Sequence, residues 1–518
     1  MPTDFNDLIK YLPEKITSEE MESIDQNSVY MGVPGFLSME NAGASVANYI
    51  VNRYGKESKR ILVVAGTGNN GGDGFVATRH LLSARHSVKV MIIGKPDDIR
   101  TEEAKLNWSI LAKLETGISI GYIRDSKEVD ELRNELAKSD IAVDAMLGTG
   151  VKGFVREPMA SVIQILNESK LPIVAVDAPT GLNPTTGEIH GNAIRASATI
   201  TFHKLKTGLT EKEEYTGEMI VANIGIPADA EIFIGPGDVR RAIGVRRSTI
   251  NKKDNGYVAI IGGSVLYSGA PAMAGISAIR TGAGLAIVLS PESATFSIKA
   301  NFPELVVAPL KGDYITESDF SDIEKQLEKA DSVVIGPGIG TREETISFLP
   351  ILIESILKRK LPVVVDADAI GTIPKNLDKS IYTKMIITPN AGEYMHITGK
   401  ALPQELGDRL ERAVELSKSL NCTTVLKGHH TIVTDGTKVK INKAETQALA
   451  TGGSGDVLSG IIGAMLGLKV RPFDSAVAGT FIHGRSGEAS YSEKGFHLTA
   501  TDLINKLPTI LKEFDRGE

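Results

Sequence analysis

The amino-acid sequence predicts two successive α/β domains, the first of them a doubly wound parallel sheet. Short runs of β-branched and aliphatic residues alternate with helix-patterned segments, and this rhythm stops once and restarts. Glycine-rich segments follow several of the runs, where open α/β sheets bind ligands. With 518 residues the chain is too long for one ordinary core. Its composition, 42% hydrophobic and 23% charged, is that of a globular protein. The net charge of −7 argues against a general nucleic-acid or anionic-membrane binder, which needs a basic excess.

Taken in order, Thr17-Ser18-Glu19-Glu20 resembles a capping box and predicts a helix to Tyr30. Arg60–Ala65, Ser87–Ile93, Ile141–Leu147 and Leu171–Val176 read as buried parallel strands, with helices over Gly74–Ala84 and Thr101–Leu114 between them. A seam is expected within Ile234–Asn255, where Gly235-Pro236-Gly237 precedes a basic stretch, so the domains are placed at 1–235 and 236–518. Strands resume at Tyr257 and continue with Ser332–Ile335, Leu361–Val365, Lys384–Ile387 and Thr423–Leu426. The single cysteine, Cys422, rules out an intrachain disulfide and fits a reducing compartment. Met1–Lys15 has no secretory apolar region, and no apolar run reaches the roughly 18 residues of a membrane span. A cytoplasmic chain without a membrane partner is expected.

Gly66-Thr67-Gly68-Asn69-Asn70-Gly71-Gly72-Asp73-Gly74 follows a strong strand and opens a helix. Glycines let backbone approach a ligand, and the helix N-terminus offers free N–H groups to an anion. The spacing is not that of the dinucleotide fingerprint. A plain helix cap, with Asp73 at the N-cap, would need fewer glycines. Asp144 leads into a second flexible loop, Gly148–Gly153, and Asp177-Ala178-Pro179-Thr180-Gly181 ends the next strand. Asn70, Asp144 and Thr180 could supply oxygen ligands to a hard monovalent cation, or Asp144 and Thr180 could only cap turns; spacing leaves both readings open.

These three segments together resemble the NAD(P)H-hydrate epimerase family and imply a Rossmann-like fold. The resemblance implies that Asn69, Asn70, Gly71, Gly72 and Asp73, with Gly148, Thr149, Gly150, Val151, Lys152, Gly153 and Phe154, hold a hydrated nicotinamide dinucleotide. It also implies K+ binding by Asn70, Asp144 and Thr180, and substrate contact by Asp177 near the reacting ring. Many members have Ser where Thr180 stands, and the hydroxyl is retained. A carboxylate at Asp177 suits the proton shuttling that epimerisation requires. Lys206 could reach the same place but reads as a solvated surface lysine.

In the second half Tyr267–Pro271 opens a small-residue helix, and Gly336-Pro337-Gly338-Ile339-Gly340 and Lys427-Gly428-His429-His430-Thr431 each follow a strand. Thr451-Gly452-Gly453-Ser454-Gly455-Asp456 precedes an apolar helix over Val457–Leu468. Amides from Gly453 to Asp456 would form a nest for a transferring phosphoryl group, and Asp456 could take a proton from a hydroxyl. Alone, the segment reads equally as a turn with Asp456 as N-cap. The other three loops, in order at strand ends, favour catalysis. His429 and His430 lack companions at metal-ligand spacing and read as loop residues.

Gly-Gly-Ser-Gly-Asp before a helix resembles the ribokinase-like fold, and the full set resembles its NAD(P)H-hydrate dehydratase branch. That branch phosphorylates the hydrate's hydroxyl with ADP or ATP and then expels phosphate. The resemblance implies nucleotide binding by Lys427, Gly428, His429, His430, Thr431 and Gly455. It implies hydrate contact by Ala270, Gly338, Asn390 and Asp456, with Asp456 as catalytic base. Asn390 stands where many members have His and cannot titrate. Mg2+ is expected with the nucleotide, Glu393 beside it. The family tends to form homo-oligomers, and fusion of both halves resembles its ADP-using members. A small-molecule kinase would leave the first domain unexplained, and a non-catalytic binding module would not need Asp177 or the paired asparagines.

Overall fold

The structure is a computed structural model describing residues 8–150, 153–189, 191–244, 254–374, 377–443 and 446–515. Two compact units divide between Pro227 and Ala228, and the second also takes in the segment before Pro13. The division lies ahead of the expected seam because Ile232 and Ile234 are core residues of the second unit, and Phe233 bridges to Ile441. Leu8, Tyr11 and Leu12 pack on the same core.

The first unit contains strands β1 (Lys15–Ile16), β2 (Arg60–Ala65), β3 (Ser87–Ile93), β4 (Ile118–Ile123), β5 (Ile141–Ala145), β6 (Ile173–Val176), β7 (Ala198–Phe202), β8 (Leu205–Lys206) and β9 (Glu218–Ala222). Seven form one sheet in the order β4-β3-β2-β5-β6-β7-β9, all parallel. Central strands β5 and β6 are buried along their whole length, which is why they read as unbroken apolar runs. Three strands of this sheet, β4, β7 and β9, were not expected, nor were the two-residue strands β1 and β8. β7 reads Ala-Thr-Ile-Thr-Phe, and its buried Thr199 hides the apolar run by bonding the carbonyl of Thr216 at 2.7 Å. The helix Ser18–Tyr30 starts at a true capping box: Thr17 accepts from the Glu20 amide, and Glu20 accepts from the Thr17 amide. Just before it, β1 pairs with β8 in parallel, setting Ile16 opposite Lys206.

The second unit holds β10 (Tyr257–Ile261), β11 (Leu285–Pro291), β12 (Val306–Leu310), β13 (Ser332–Ile335), β14 (Val363–Val365), β15 (Met385–Ile387), β16 (Thr423–Leu426), β17 (His430–Thr434) and β18 (Val439–Lys443). Their order is β12-β11-β10-β13-β14-β15-β16-β17-β18, parallel up to β16 and antiparallel beyond. One apolar cluster fills each face of the sheet. On one face the helices Gly269–Thr281 and Ser454–Gly467 approach so closely that a Cβ on Gly460 would lie 2.1 Å from the Ala274 carbonyl oxygen. The small residues of both helices serve this packing. Among the described residues, no helix is long and apolar enough to cross a membrane.

Candidate active sites

In the first sheet β2 lies between β3 and β5, so the segments leaving β2 and β5 open where the winding reverses. The helix Asn69–Ser83 begins inside the glycine motif with Gly68 at its N-cap, which leaves Asp73 within the helix instead of capping it. Close packing requires several of these glycines. A Cβ on Gly71 would lie 2.0 Å from the Gly66 carbonyl oxygen, one on Gly72 2.6 Å from Met39 Cε, and one on Gly74 2.6 Å from Ala145 Cβ. The first bond of the helix runs from the Gly72 amide to the Gly68 carbonyl, so the amides of Asn69, Asn70 and Gly71 head the helix, as an anion site needs.

At the tips of β5 and β6, Asp144 is fully buried. It accepts from the Thr180 amide at 2.8 Å, Thr180 Oγ1 at 2.7 Å and the Met146 amide at 3.3 Å. Burial raises its carboxyl to about 6, against the pull of these bonds. Thr180 Oγ1 in turn accepts from the Leu147 amide at 3.0 Å. Asn70 is buried, and neither its Oδ1 nor its Nδ2 has a hydrogen-bond partner among the described residues. Its Oδ1 lies 2.9 Å from the point a Cβ on Gly148 would occupy, and Asp177 Oδ2 lies 3.4 Å from that point. Gly148 therefore sits between Asn70 and Asp177. Gly150, Gly153 and Phe154 stand in solvent, Phe154 at 76% exposure, and Thr149 is half-buried. Val151 and Lys152 lie outside the described residues.

Asp177 adopts φ +62°, a left-handed conformation uncommon for a non-glycine residue. Its Oδ1 accepts from Lys206 Nζ at 2.8 Å, Thr201 Oγ1 at 3.2 Å and the Phe202 amide at 3.4 Å. Lys206 is thus no surface lysine: its exposure is 0%. A tertiary feature overrides the sequence pattern, because β1 lies over β8 and three acceptors receive the ammonium. Asp73 faces the same charges. Burial lifts its carboxyl well above the usual range, Asp177 and Asp25 add to the effect, and Lys206 opposes it.

The second sheet repeats the switch-point logic, with β10 between β11 and β13. A Cβ on Gly338 would lie 3.0 Å from Ala270 Cβ, so the segments leaving β10 and β13 abut. Gly453 (φ +85°) caps the helix Ser454–Gly467 and packs on Met273 of the helix Gly269–Thr281. Gly455 has Lys427 Nζ 3.4 Å from where its Cβ would stand. Lys427 Nζ donates to Asp366 Oδ1 at 3.0 Å and lies 3.7 Å from Glu393 Oε2. Burial works against its charge, but Asp366 and Glu393 outweigh that and raise its pKa. Asp456 is half-buried. Burial pushes its carboxyl up to about 7, the negative Asp366 adds, and Lys427 pulls the other way.

Asn390 is exposed and builds a capping box with Glu393: each side chain accepts from the other's amide, at 2.9 and 2.8 Å. The Lys427 amide donates to the Pro389 carbonyl at 2.8 Å, which seats this corner beside the lysine. Gly428 and His429 are exposed, and His430 and Thr431 open β17 half-buried. The two histidine rings meet edge to face at 4.6 Å, and among the described residues no group of three His, Cys, Asp or Glu could hold a metal ion.

Sequence reasoning missed three residues here. Asp366 accepts from Thr388 Oγ1 and Ser459 Oγ, each at 2.6 Å, as well as from Lys427. Burial would raise its carboxyl, but Lys427 and the two hydroxyls bring it below the usual value. It ends the run Val363-Val364-Val365 just as Asp177 ends its own strand, a signal that was readable. His483 bonds both Ser454 Oγ and the Ser454 carbonyl at 3.0 Å, and burial pushes it down to about 4. Asp25, on the helix Ser18–Tyr30, gives no sequence signal.

Residues 37–208 match the family model described as YjeF-related protein N-terminus, and residues 258–509 match that of NAD(P)H-hydrate dehydratase. Over 97% of its length the chain is 40% identical to the bifunctional NAD(P)H-hydrate repair enzyme Nnr of Pyrobaculum aerophilum, covering 99% of that protein. The chain belongs to the bifunctional NAD(P)H-hydrate repair enzyme family. A second family member, from Methanothermobacter thermautotrophicus, is 39% identical over 95% of this chain and 94% of its own. The solved ADP/ATP-dependent NAD(P)H-hydrate dehydratase from Bacillus subtilis, co-crystallised with ATP/Mg2+, is 26% identical, with 55% of this chain and 99% of that one covered and a TM-score of 0.46. Each of the two family models falls within one compact unit, the epimerase-like motifs in the first and the dehydratase-like loops in the second.

Proposed function

We propose that the chain repairs hydrated NADH and NADPH, the first unit interconverting the R and S hydrates and the second dehydrating the S hydrate with ADP or ATP. The observation that carries the reading is the glycine turn itself: Asp456 stands in the first turn of the helix Ser454–Gly467 and Lys427 Nζ lies 3.4 Å from where a Gly455 Cβ would stand, with burial pushing the Asp456 carboxyl up to about 7. A base with a pKa near working pH takes a proton efficiently.

In the second unit Asp456 takes the proton of the hydrate's hydroxyl as its oxygen attacks the terminal phosphorus. The glycine-turn amides and Lys427 receive the charge of the moving phosphoryl group. The phosphate ester then leaves with its bonding electrons, the ring nitrogen supplies its lone pair, and the neighbouring ring carbon loses a proton to restore the dihydropyridine. Ala270, Gly338 and Asn390 contact the hydrate. Gly428, His429, His430, Thr431 and Gly455 hold the nucleotide with Lys427. Glu393 would stand beside a Mg2+ carried by the nucleotide, which would supply charge neutralisation for its phosphates.

In the first unit Asn69–Asp73 and Gly148–Phe154 grip the dinucleotide, and Asp177 exchanges protons with the hydrate's hydroxyl. A cation fits Asn70, Asp144 and Thr180: the donors are all oxygen, and Asn70 Oδ1 is buried without a partner among the described residues. Bound there, K+ would fix the loop and counter the buried charge of Asp144. The ion suits this donor set through its hardness. A cytoplasmic homo-oligomer completes the reading; light scattering checks the assembly.

The test incubates the purified chain with a mixture of both epimers, Mg2+ and either ADP or ATP. Recovery of reduced-nicotinamide absorbance beyond the S fraction requires both activities. No recovery with either nucleotide would refute the dehydratase.

A further inference from the structure

Asp177 uses its two oxygens differently. Oδ1 is held by Lys206 Nζ, Thr201 Oγ1 and the Phe202 amide. Oδ2 points at Gly148, in the loop expected to hold the dinucleotide. Lys206 has three N–H groups and three acceptors: Asp177 Oδ1 at 2.8 Å, Thr201 Oγ1 at 3.1 Å and the Phe202 carbonyl at 2.8 Å. It is fully buried, so it has no donor left for a substrate. Its place is fixed by the N-terminal segment. β1 pairs with β8, and the Ser18 amide donates to Thr185 Oγ1 at 2.9 Å, which anchors the start of the helix Ser18–Tyr30. That helix carries Asp25 to the same charges.

We propose that Lys206 is the positioning residue of the first unit, engaging Asp177 Oδ1 so that Oδ2 is the atom that exchanges protons with the hydrate. This rests on the reading of Asp177 given above. The chemistry calls for one proton given and one taken back. As the C–O bond breaks, the leaving hydroxyl takes one proton and departs as water, and the ring-nitrogen lone pair closes a C=N bond. Water then adds to the opposite face and releases one proton, so donor and acceptor balance. The charged groups around the Lys206–Asp177 pair are Asp25 and Asp73, and Lys206 opposes the upward shift of each.

The test follows interconversion of the separated hydrates of NADH by the full-length chain, without nucleotide, from pH 5 to 9. Lys206→Met is expected to lower kcat about 100-fold or more, within the span of acid–base catalysis, while KM changes less than about threefold. Its acidic limb moves to higher pH, because Lys206 opposes the upward shifts of Asp25 and Asp73. Lys206→Arg recovers part of the rate. Dehydration of the S hydrate by the same preparations reports whether the chain is intact. A folded Lys206→Met with the wild-type kcat and pH profile overturns the positioning role. Should that variant not fold, Lys206→Arg at the wild-type rate and pH profile overturns the proposal, and a slowed Lys206→Arg supports it. An active Asp177→Asn would instead sink the underlying reading of Asp177.

Discussion

Replacing Asp456 with Asn should abolish dehydration and at the same time stabilise the protein, increasingly so as pH rises. The carboxyl stands at about 7 in the folded chain against an ordinary 3.8. Below the ordinary value both states carry the proton and the substitution changes little. Between the two values the unfolded chain ionises while the folded chain holds its proton, so wild-type stability falls with each pH unit by about 1.4 kcal/mol. Above about 7 the difference levels off, at no more than about 4 kcal/mol. Solvent reaching the half-buried group screens part of it, which leaves about 2 kcal/mol as the working figure. Asn keeps the shape and does not titrate, so that amount should appear as a melting point about 3 °C higher at pH 8. Thermal melts of both proteins from pH 4 to 9, followed by circular dichroism, measure it. A mutant-minus-wild-type difference that is flat with pH, or that shrinks towards pH 8, would refute the reasoning. Epimerisation should be unaffected, so the separated hydrates of NADH still interconvert. The base would then be a case of activity held at the expense of stability.

Gly455→Ala should raise KM for ADP about tenfold with little change in melting point, since the new methyl meets only Lys427 Nζ at 3.4 Å and fills the turn meant for phosphate. Gly460→Ala, whose methyl would lie 2.1 Å from a carbonyl oxygen, should instead lower stability by about 1–3 kcal/mol, read from denaturant unfolding. Thr180→Val removes a hydroxyl bonded to Asp144 and should cost about 1–3 kcal/mol while abolishing any advantage of potassium chloride over choline chloride in the epimerisation rate; an unchanged potassium advantage counts against this cation site. Asp366→Asn leaves Lys427 without its nearest carboxylate, and a loss of about 3–5 kcal/mol with weakened nucleotide binding is expected from calorimetry. A calorimetric loss below about 1 kcal/mol would contradict the buried-pair argument.

Much of this protein was legible in the residues themselves. Strands such as Arg60–Ala65 and Ser332–Ile335 are buried on both faces and write themselves as unbroken apolar runs, so period and length suffice to find them. The glycine segments at their ends are equally local, because only glycine permits the approach of backbone to backbone seen at Gly71. Strand β7 escaped because its threonines satisfy their hydroxyls through partners distant in sequence. The helix Asn69–Ser83 began earlier than expected because glycine's low helix propensity is overruled where neighbours leave no room for a side chain.

What only the tertiary structure decided is charge environment. Lys206 looks like any lysine in a polar segment, and Asp25 like any acid on an amphipathic helix. Lys206 is buried where a two-residue strand, Lys15–Ile16, lies along Leu205–Lys206 some 190 positions away, and it pairs with Asp177. Asp366 and Lys427 likewise meet only because β14 and β16 flank β15. Local sequence sets backbone preference and the apolar period. Burial and the sign of neighbouring charges, which determine whether a carboxyl holds its proton at neutral pH, are properties of the assembled chain.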